Sequence, residues 1–85
     1  MEQRIDVNKA LRAFEVIRTR GKKYDDEYFY SGIFASSSPD GYTITLRDQR
    51  VTMIVGFHNT VNLQSEKQQD SDEFLNALDI ICRED

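Results

Sequence analysis

The feature that most constrains the fold is a pair of alternating segments in the middle of the chain, residues 42–47 and 50–58. In each segment apolar side chains recur at every second position, which is the period of a β-strand with one buried face. A loop at Asp48 and Gln49 would join the two segments as an antiparallel hairpin. The predicted pairs on its apolar face are Leu46 with Val51, Ile44 with Met53 and Tyr42 with Val55. A one-residue slip would turn these side chains to the other face, so the pattern predicts a defined register.

Further strands are predicted on both sides of this hairpin. Residues 28–35 are rich in aromatic side chains and predict one strand before it. Pro39 and Gly41 supply the backbone preferences of a tight turn within residues 36–41. A second turn at residues 58–60 would lead into a short fourth strand. The predicted pairs there are Val61 with Phe57 and Leu63 with Val55.

Two amphipathic helices are predicted, one at each end of the chain. Residues 7–20 carry apolar side chains at spacings of three and four, between a possible N-cap at Asp6 and a left-handed Gly21. Residues 70–73 resemble a capping box that begins the second helix. The side chains predicted to face inward are Val7, Ala10, Leu11, Phe14 and Ile17 in the first helix, and Phe74, Leu75, Leu78, Ile81 and Cys82, broadened by Ala77 and Ile80, in the second.

These elements predict a two-layer α+β fold in the order α-β-β-β-(β)-α. Both helices would pack on the single apolar face of a three- to four-stranded antiparallel meander sheet. The chain has 85 residues, of which 39% are hydrophobic, and a chain of this length has one core. A single domain over residues 1–85 is therefore predicted.

Charge and apolar patterning bear on the partners and the location. The chain has 11 basic and 15 acidic residues, and its net charge of −4 disfavours nonspecific binding to phosphates or acidic membranes. No apolar run approaches the roughly 18 residues that span a bilayer. The only cysteine, Cys82, cannot form an internal disulfide, which fits a reducing compartment. We therefore expect a cytoplasmic protein with no membrane partner.

Few residues suggest catalysis. His58 is the only histidine, and no Ser, Cys or Asp is spaced to work with it, so a hydrolase centred on His58 is the least favoured hypothesis. Cys82 falls on the inner stripe of the second helix, where a thiol is inert. No set of residues has the spacing of a metal site, and no glycine-rich phosphate loop is present. The sequence predicts a protein that is not an enzyme and has no cofactor, metal or small-molecule ligand.

The first helix suggests a surface for a partner. On a helical wheel Val16 falls opposite Leu11 and among Lys9, Arg12 and Arg20, which predicts an exposed apolar residue ringed by cations. An outermost strand of the sheet would also have an unpaired edge, through which copies can associate. The leading hypothesis is a non-enzymatic module that binds a protein partner or forms a homodimer.

The tip of the central hairpin is a second candidate surface. Arg47 and Arg50 flank the predicted loop and would face each other across it. An anion or a carboxylate of a partner would relieve such a like-charge pair, and Asp48 is a closer counter-charge.

The alternative hypothesis is weak nucleic-acid binding by the basic N-terminal segment. The cations concerned are Lys9, Arg12, Arg20, Lys22 and Lys23. The α-β-β-β-α order resembles the double-stranded RNA-binding domain, whose last helix begins with basic groups. Residues 70–73 of this chain are acidic except for one serine, so nucleic acid is the less favoured partner.

Three segments together resemble a family of short, uncharacterised gamma-proteobacterial proteins, a domain of unknown function. They are Ile5-Asp6-Val7 through Gly21, Asp40-Gly41-Tyr42-Thr43 through Asp48, and Val51 through Phe57-His58-Asn59. The resemblance spans nearly the whole chain and implies a bacterial, cytoplasmic setting. It implies no activity.

Overall fold

A computed structural model describes residues 7–56 and 60–84 of the protein. Its elements are α1 (Val7–Arg20), β1 (Lys22–Tyr24), β2 (Glu27–Tyr30), β3 (Ile33–Ser37), β4 (Thr43–Arg47), β5 (Val51–Gly56), β6 (Val61–Ser65) and α2 (Gln68–Arg83). The strands form one open antiparallel sheet in chain order, from β1 to β6. The α+β class is confirmed, but the prediction of three to four strands was wrong, because the described residues form a sheet of six strands. The predicted cap at Asp6 lies outside the described residues.

The strands that the sequence did not predict form because the chain reverses within segments where no turn had been predicted. Residues 28–35 are not one strand, because the chain reverses at Ser31 and Gly32, whose φ angles are 51° and 84°. Two successive left-handed residues are typical of the tightest hairpin turn, whose twist matches that of the strands. Asp25, with φ of 54°, helps to turn the chain between β1 and β2, where no strands had been predicted.

The central hairpin has the predicted inner face in a register shifted by two residues. Leu46 pairs with Met53 and Ile44 with Val55. The carboxylate of Asp48 accepts hydrogen bonds from the backbone N–H groups of Arg50 (2.7 Å) and Val51 (2.8 Å). This side-chain-capped turn takes up more residues than the predicted loop, and an even shift keeps the same side chains inside.

The pairing of β6 shifts in the same way. Val61 pairs with Val55 and Leu63 with Met53, so both side chains still point to the inner face. Tyr42 was predicted to point inward within the hairpin. It instead lies before β4 and is 58% exposed.

Both helices cover the same face of the sheet and pack against each other. Helix α1 contacts β2 and β3, whereas α2 contacts β5 and β6. The buried core is one cluster of side chains from both layers, and it comprises Ala10, Ala13, Val16, Ile17, Ile33, Ala35, Ile44, Leu46, Val51, Met53, Val55, Phe74, Leu78 and Ile81.

Helix α1 has the predicted bounds but a different buried face. Val16, predicted to be exposed, is only 3% exposed, whereas Leu11, predicted to be buried, is 43% exposed. The centre of the face is formed by Ala10, Ala13 and Ile17, which rotates it towards Val16. Small alanines allow the helix to approach its neighbours closely, so the buried face is not centred on the largest apolar residues.

Gly21 follows α1 for a steric reason rather than for a left-handed conformation. Its φ is not positive, unlike those of Gly32 and Gly41, so the predicted left-handed role was wrong. A Cβ at this position would lie 2.6 Å from the carbonyl oxygen of Phe29 and would also collide with that of Ile17. Glycine therefore permits the close passage of the chain from α1 into β1 beside β2.

Helix α2 begins two residues before the predicted capping box. Its N-cap is Lys67, whose side chain makes no capping hydrogen bond. Asp70 and Ser71 are instead buried in the first turn, where the Ser71 hydroxyl bonds that of Ser65 on β6. The inward stripe of α2 contains Phe74, Leu78 and Ile81 as buried residues and Leu75, Ala77 and Cys82 as partly buried ones. Ile80, predicted to broaden it, is 49% exposed.

The rotated face of α1 predicts opposite effects of two matched substitutions. Val16→Asp should lower the free energy of unfolding by about 3 to 5 kcal/mol, because the carboxylate would be buried without a partner. Leu11→Asp should change it by less than about 1 kcal/mol, because that position is exposed. Urea denaturation of both variants measures the difference. Equal losses of stability would contradict the observed face of the helix.

Candidate interaction surfaces

The sheet has an outer face, defined here by the strand side chains that point away from both helices. Across the strands it carries Lys22 and Tyr24, Glu27 and Phe29, Phe34 and Ser36, Thr43, Thr45 and Arg47, Thr52 and Ile54, and Asn62 and Gln64. Neither helix covers this face, since both pack on the core side. The described residues therefore leave this face open to a partner.

An aromatic cluster, made of Tyr24, Phe29 and Phe34, occupies the β1–β3 half of the outer face. Phe29 and Phe34 are cross-strand partners whose ring centroids lie 4.6 Å apart at an interplanar angle of 50°. Tyr24 meets Phe29 edge to face at 6.5 Å and is 50% exposed. Aromatic pairs in such geometries are stabilised beyond their burial, so these contacts favour the observed arrangement of the rings.

Arg47 stacks on this cluster and is held there by Glu27. Its guanidinium carbon lies 4.6 Å from the ring centroid of Phe34. Two of its nitrogens donate to the Glu27 carboxylate, at 2.8 and 3.0 Å, in a bidentate pair. The cluster thus has a fixed polar margin on β2 and β4.

Arg47 and Arg50 do not face each other, so that prediction was wrong. The longer turn pairs Arg47 with Thr52, and Arg50 extends from the tip towards α2. There its guanidinium lies 3.4 Å from the largely buried carboxylate of Asp70. Each arginine already has a carboxylate partner within the chain, which removes the like-charge pair that would have attracted an anion.

Cations of α1 form ion pairs with acidic residues of the chain. These pairs are Lys9 with Asp79 at 2.9 Å, Arg18 with Glu15 at 2.6 Å and Arg20 with Glu84 at 3.9 Å. Arg12 is exposed on the same helix. Because Val16 is buried among core residues, the predicted apolar centre of this surface does not exist.

Two depressions lie at opposite ends of the sheet. A polar cleft of about 710 Å³ lies between the β4–β5 turn and the start of α2, and Arg50, Lys67 and Asp70 are among its lining residues. An apolar groove of about 260 Å³ lies beside the start of α1, where Leu11 and Tyr42 line it.

The residues considered for catalysis are placed as follows. His58 lies outside the described residues. Cys82 packs partly buried against the core, donates its thiol hydrogen to the backbone oxygen of Lys9 at 3.1 Å, and has its pKa raised by burial. A raised pKa keeps the thiol protonated and unreactive. Among residues 7–56 and 60–84, no three His, Cys, Asp or Glu side chains are grouped as ligands of a metal would be.

The candidate site residues that sequence reasoning missed are Phe29 and Phe34. They are five positions apart, so in one continuous strand they would point to opposite faces. They share a face only because the chain turns at Ser31 and Gly32 between them. The Ser-Gly pair in the middle of an aromatic run was the available signal.

The Lys9–Asp79 pair joins α1 to α2 and predicts a pH dependence. The hydrogen bond from Lys9 lowers the pKa of Asp79, so the ionised carboxylate stabilises the folded state. That contribution is present above the unfolded pKa of about 3.9 and is lost as pH falls through the lower folded value. Asp79→Asn should therefore lower the melting temperature at neutral pH, and the difference from the natural chain should vanish in acid.

Melting curves over a pH series test this prediction, with Asp26→Asn in the exposed β1–β2 turn as the matched control. The control should melt close to the natural chain at neutral pH. A deficit of Asp79→Asn that persisted unchanged into acid would show that the carboxylate charge is not what joins the helices.

None of the helices within the described residues is both long and apolar enough to cross a membrane.

Comparison with known proteins identifies a family but no characterised relative. Residues 5–85 match the family described as "Protein of unknown function (DUF3081)". No curated protein and no solved structure matches the chain. The predicted membership of an uncharacterised family is confirmed, while a gamma-proteobacterial origin stays a prediction. The chain belongs to this family of unknown function, which covers nearly all of its length.

Proposed function

We propose that the protein is a non-enzymatic interaction module that binds a partner protein with the outer face of its sheet. The single observation that carries this proposal is the aromatic cluster on a face that neither helix covers. The partner is a protein whose contact surface presents aliphatic and aromatic side chains to the rings of Phe29 and Phe34.

The composition of the outer face supports this proposal. Protein interfaces are enriched in aromatic residues and arginine at their centres and are surrounded by a polar rim. Here the three aromatic rings form such a centre, Arg47 stacks at its margin, and threonine, asparagine and glutamine side chains of β4 to β6 extend the polar surface on that side. The Arg47 charge is already neutralised by Glu27, so burying it beneath a partner does not leave a lone charge.

The roles of the titratable groups support a non-enzymatic protein. Asp79 joins the two helices, and the Asp40 carboxylate, whose pKa is lowered by the hydroxyl of Ser38 and then by the N–H of Tyr42, closes a turn. The hydroxyl of Tyr30 donates to Glu84, which raises the pKa of Tyr30. The pKa shifts of these three groups are thus explained by contacts that hold the fold together.

The proposal predicts that Phe29→Thr with Phe34→Thr removes partner binding and leaves the fold intact. Threonine suits a strand, and both rings are only partly buried, so the variant should remain folded. Loss of two central aromatic side chains should weaken the complex at least about tenfold. Affinity purification after cross-linking in the native cell, quantified by mass spectrometry, measures the recovery of partners.

The matched control is Tyr42→Thr, which removes an exposed aromatic ring away from the outer face. A partner recovered by the natural chain and by this control, but depleted by the double variant, supports the proposal. Equal recovery with the double variant, or no partner with the natural chain, would contradict it.

Weak nucleic-acid binding is the second candidate function. The observation in its favour is that the exposed Lys22 and Lys23 of β1 directly follow the basic last turn of α1, which contains Arg18 and Arg20. The ion pairs of Arg18 and Arg20 and the net charge of −4 weigh against it.

Titration of labelled single-stranded RNA and DNA at low and high salt separates the two candidates. The interaction-module proposal predicts no binding even at low salt, where contacts with phosphate are strongest. Binding that falls with salt, and that is lost on Lys22→Glu with Lys23→Glu, would favour the second candidate.

A further inference from the structure

The sheet is open, so its two outermost strands each have an unpaired edge within the described part of the chain. These strands are β1 and β6. The two edges differ in their protection against pairing. Strand β1 has only three residues, two of which are the exposed lysines Lys22 and Lys23, and short, lysine-bearing edges resist the addition of a strand.

Strand β6 has neither form of protection. Its five residues, Val61–Ser65, contain no charge and no proline. Its two apolar side chains, Val61 and Leu63, pack on the core but are only partly buried. Helix α2 contacts β6 on the inner face of the sheet. The outward backbone groups of β6 are thus positioned to pair with a further strand.

The hydrogen-bond pattern shows which groups point outward. The N–H of Gly56 donates to the carbonyl of Thr60 at 2.8 Å, which makes these two residues a hydrogen-bonded pair. Such pairs alternate along an antiparallel ladder, so Asn62 and Gln64 direct their backbone groups to β5. It follows that Val61, Leu63 and Ser65 direct their N–H and C=O groups away from β5, to the open edge.

We propose that β6 pairs antiparallel with β6 of a second copy of the chain, around a two-fold axis at Leu63. This inference goes beyond the partner proposed for the outer face and does not depend on it. In this register Leu63 faces Leu63 of the second copy, and Val61 faces its Ser65. Each of these residues donates and accepts one backbone hydrogen bond, and the two sheets become continuous.

The side chains of β6 are complementary to themselves in this register. On the inner face the two Leu63 side chains meet and extend the apolar layer beneath α2. On the outer face Asn62 faces Gln64 of the second copy, and two amides can exchange hydrogen bonds. No charged residue faces another within the strand, so a second copy meets no repulsion at this edge.

Charge placement at two exposed positions tests the register. Asn62→Lys with Gln64→Lys places like charges opposite each other twice in the dimer, whereas Asn62→Lys with Gln64→Glu places opposite charges there. Both residues are exposed on the outer face, so each variant should keep the fold, which circular dichroism and a thermal melt verify. The first variant also reduces the net charge of the chain, so weaker association cannot be due to general repulsion.

Sedimentation equilibrium over a wide range of concentrations measures the association. The proposal predicts a dimer for the natural chain, a dimer weakened at least about tenfold for the lysine–lysine variant, and a dimer at least as tight as the natural one for the lysine–glutamate variant. Phe29→Thr with Phe34→Thr should dimerise normally, so failure of the outer-face proposal leaves this result unchanged.

Three results would overturn the proposal. A natural chain that stays monomeric at every concentration excludes the dimer. A lysine–lysine variant that associates as tightly as the natural chain assigns the dimer to another surface. A lysine–glutamate variant as weak as the lysine–lysine variant excludes the proposed register.

Discussion

Burial on one side of the sheet is the constraint on which the rest of the structure depends. A strand presents only every second side chain to a single layer of helices. Across the sheet the buried positions align as Ala35 on β3, Leu46 on β4 and Met53 on β5. Because both helices pack on this side, the chemistry of the opposite face and of the edges is not determined by the core. Those surfaces are where selection for binding can act.

Close approach of α1 to its neighbours follows from small residues at the contacts. Ala10, Ala13 and Ala35 are almost completely buried, and Gly21 leaves no room for a Cβ beside β2. A helix held this close buries its alanine-centred face, which brings Val16 inside and leaves Leu11 outside. On the helix held in this orientation, Lys9 pairs with Asp79 of α2. Packing and electrostatics thus account together for the loss of the surface predicted on this helix.

Local patterns predict the α+β class, the bounds of α1 and the inner face of the central hairpin, because these depend only on the period of the apolar residues. Strand number and register depend instead on turn geometry. The side-chain-capped turn at Asp48 shifts the hairpin by two residues, and the left-handed pair at Ser31 and Gly32 divides an aromatic run into two strands. The candidate site also depends on turn geometry, because Phe29 and Phe34 meet only when the chain turns between them.

Solution NMR tests one-sided burial most directly, through nuclear Overhauser contacts from methyl groups of adjacent residues on β5. Met53 and Ile54 point to opposite faces of the same strand, so they form an internal comparison. Met53 is predicted to show contacts to the core side chains of α2, while Ile54 shows contacts only to neighbouring strands, such as Thr45 and Asn62. Contacts between Ile54 and either helix would contradict the account, because the outer face would then be part of the core.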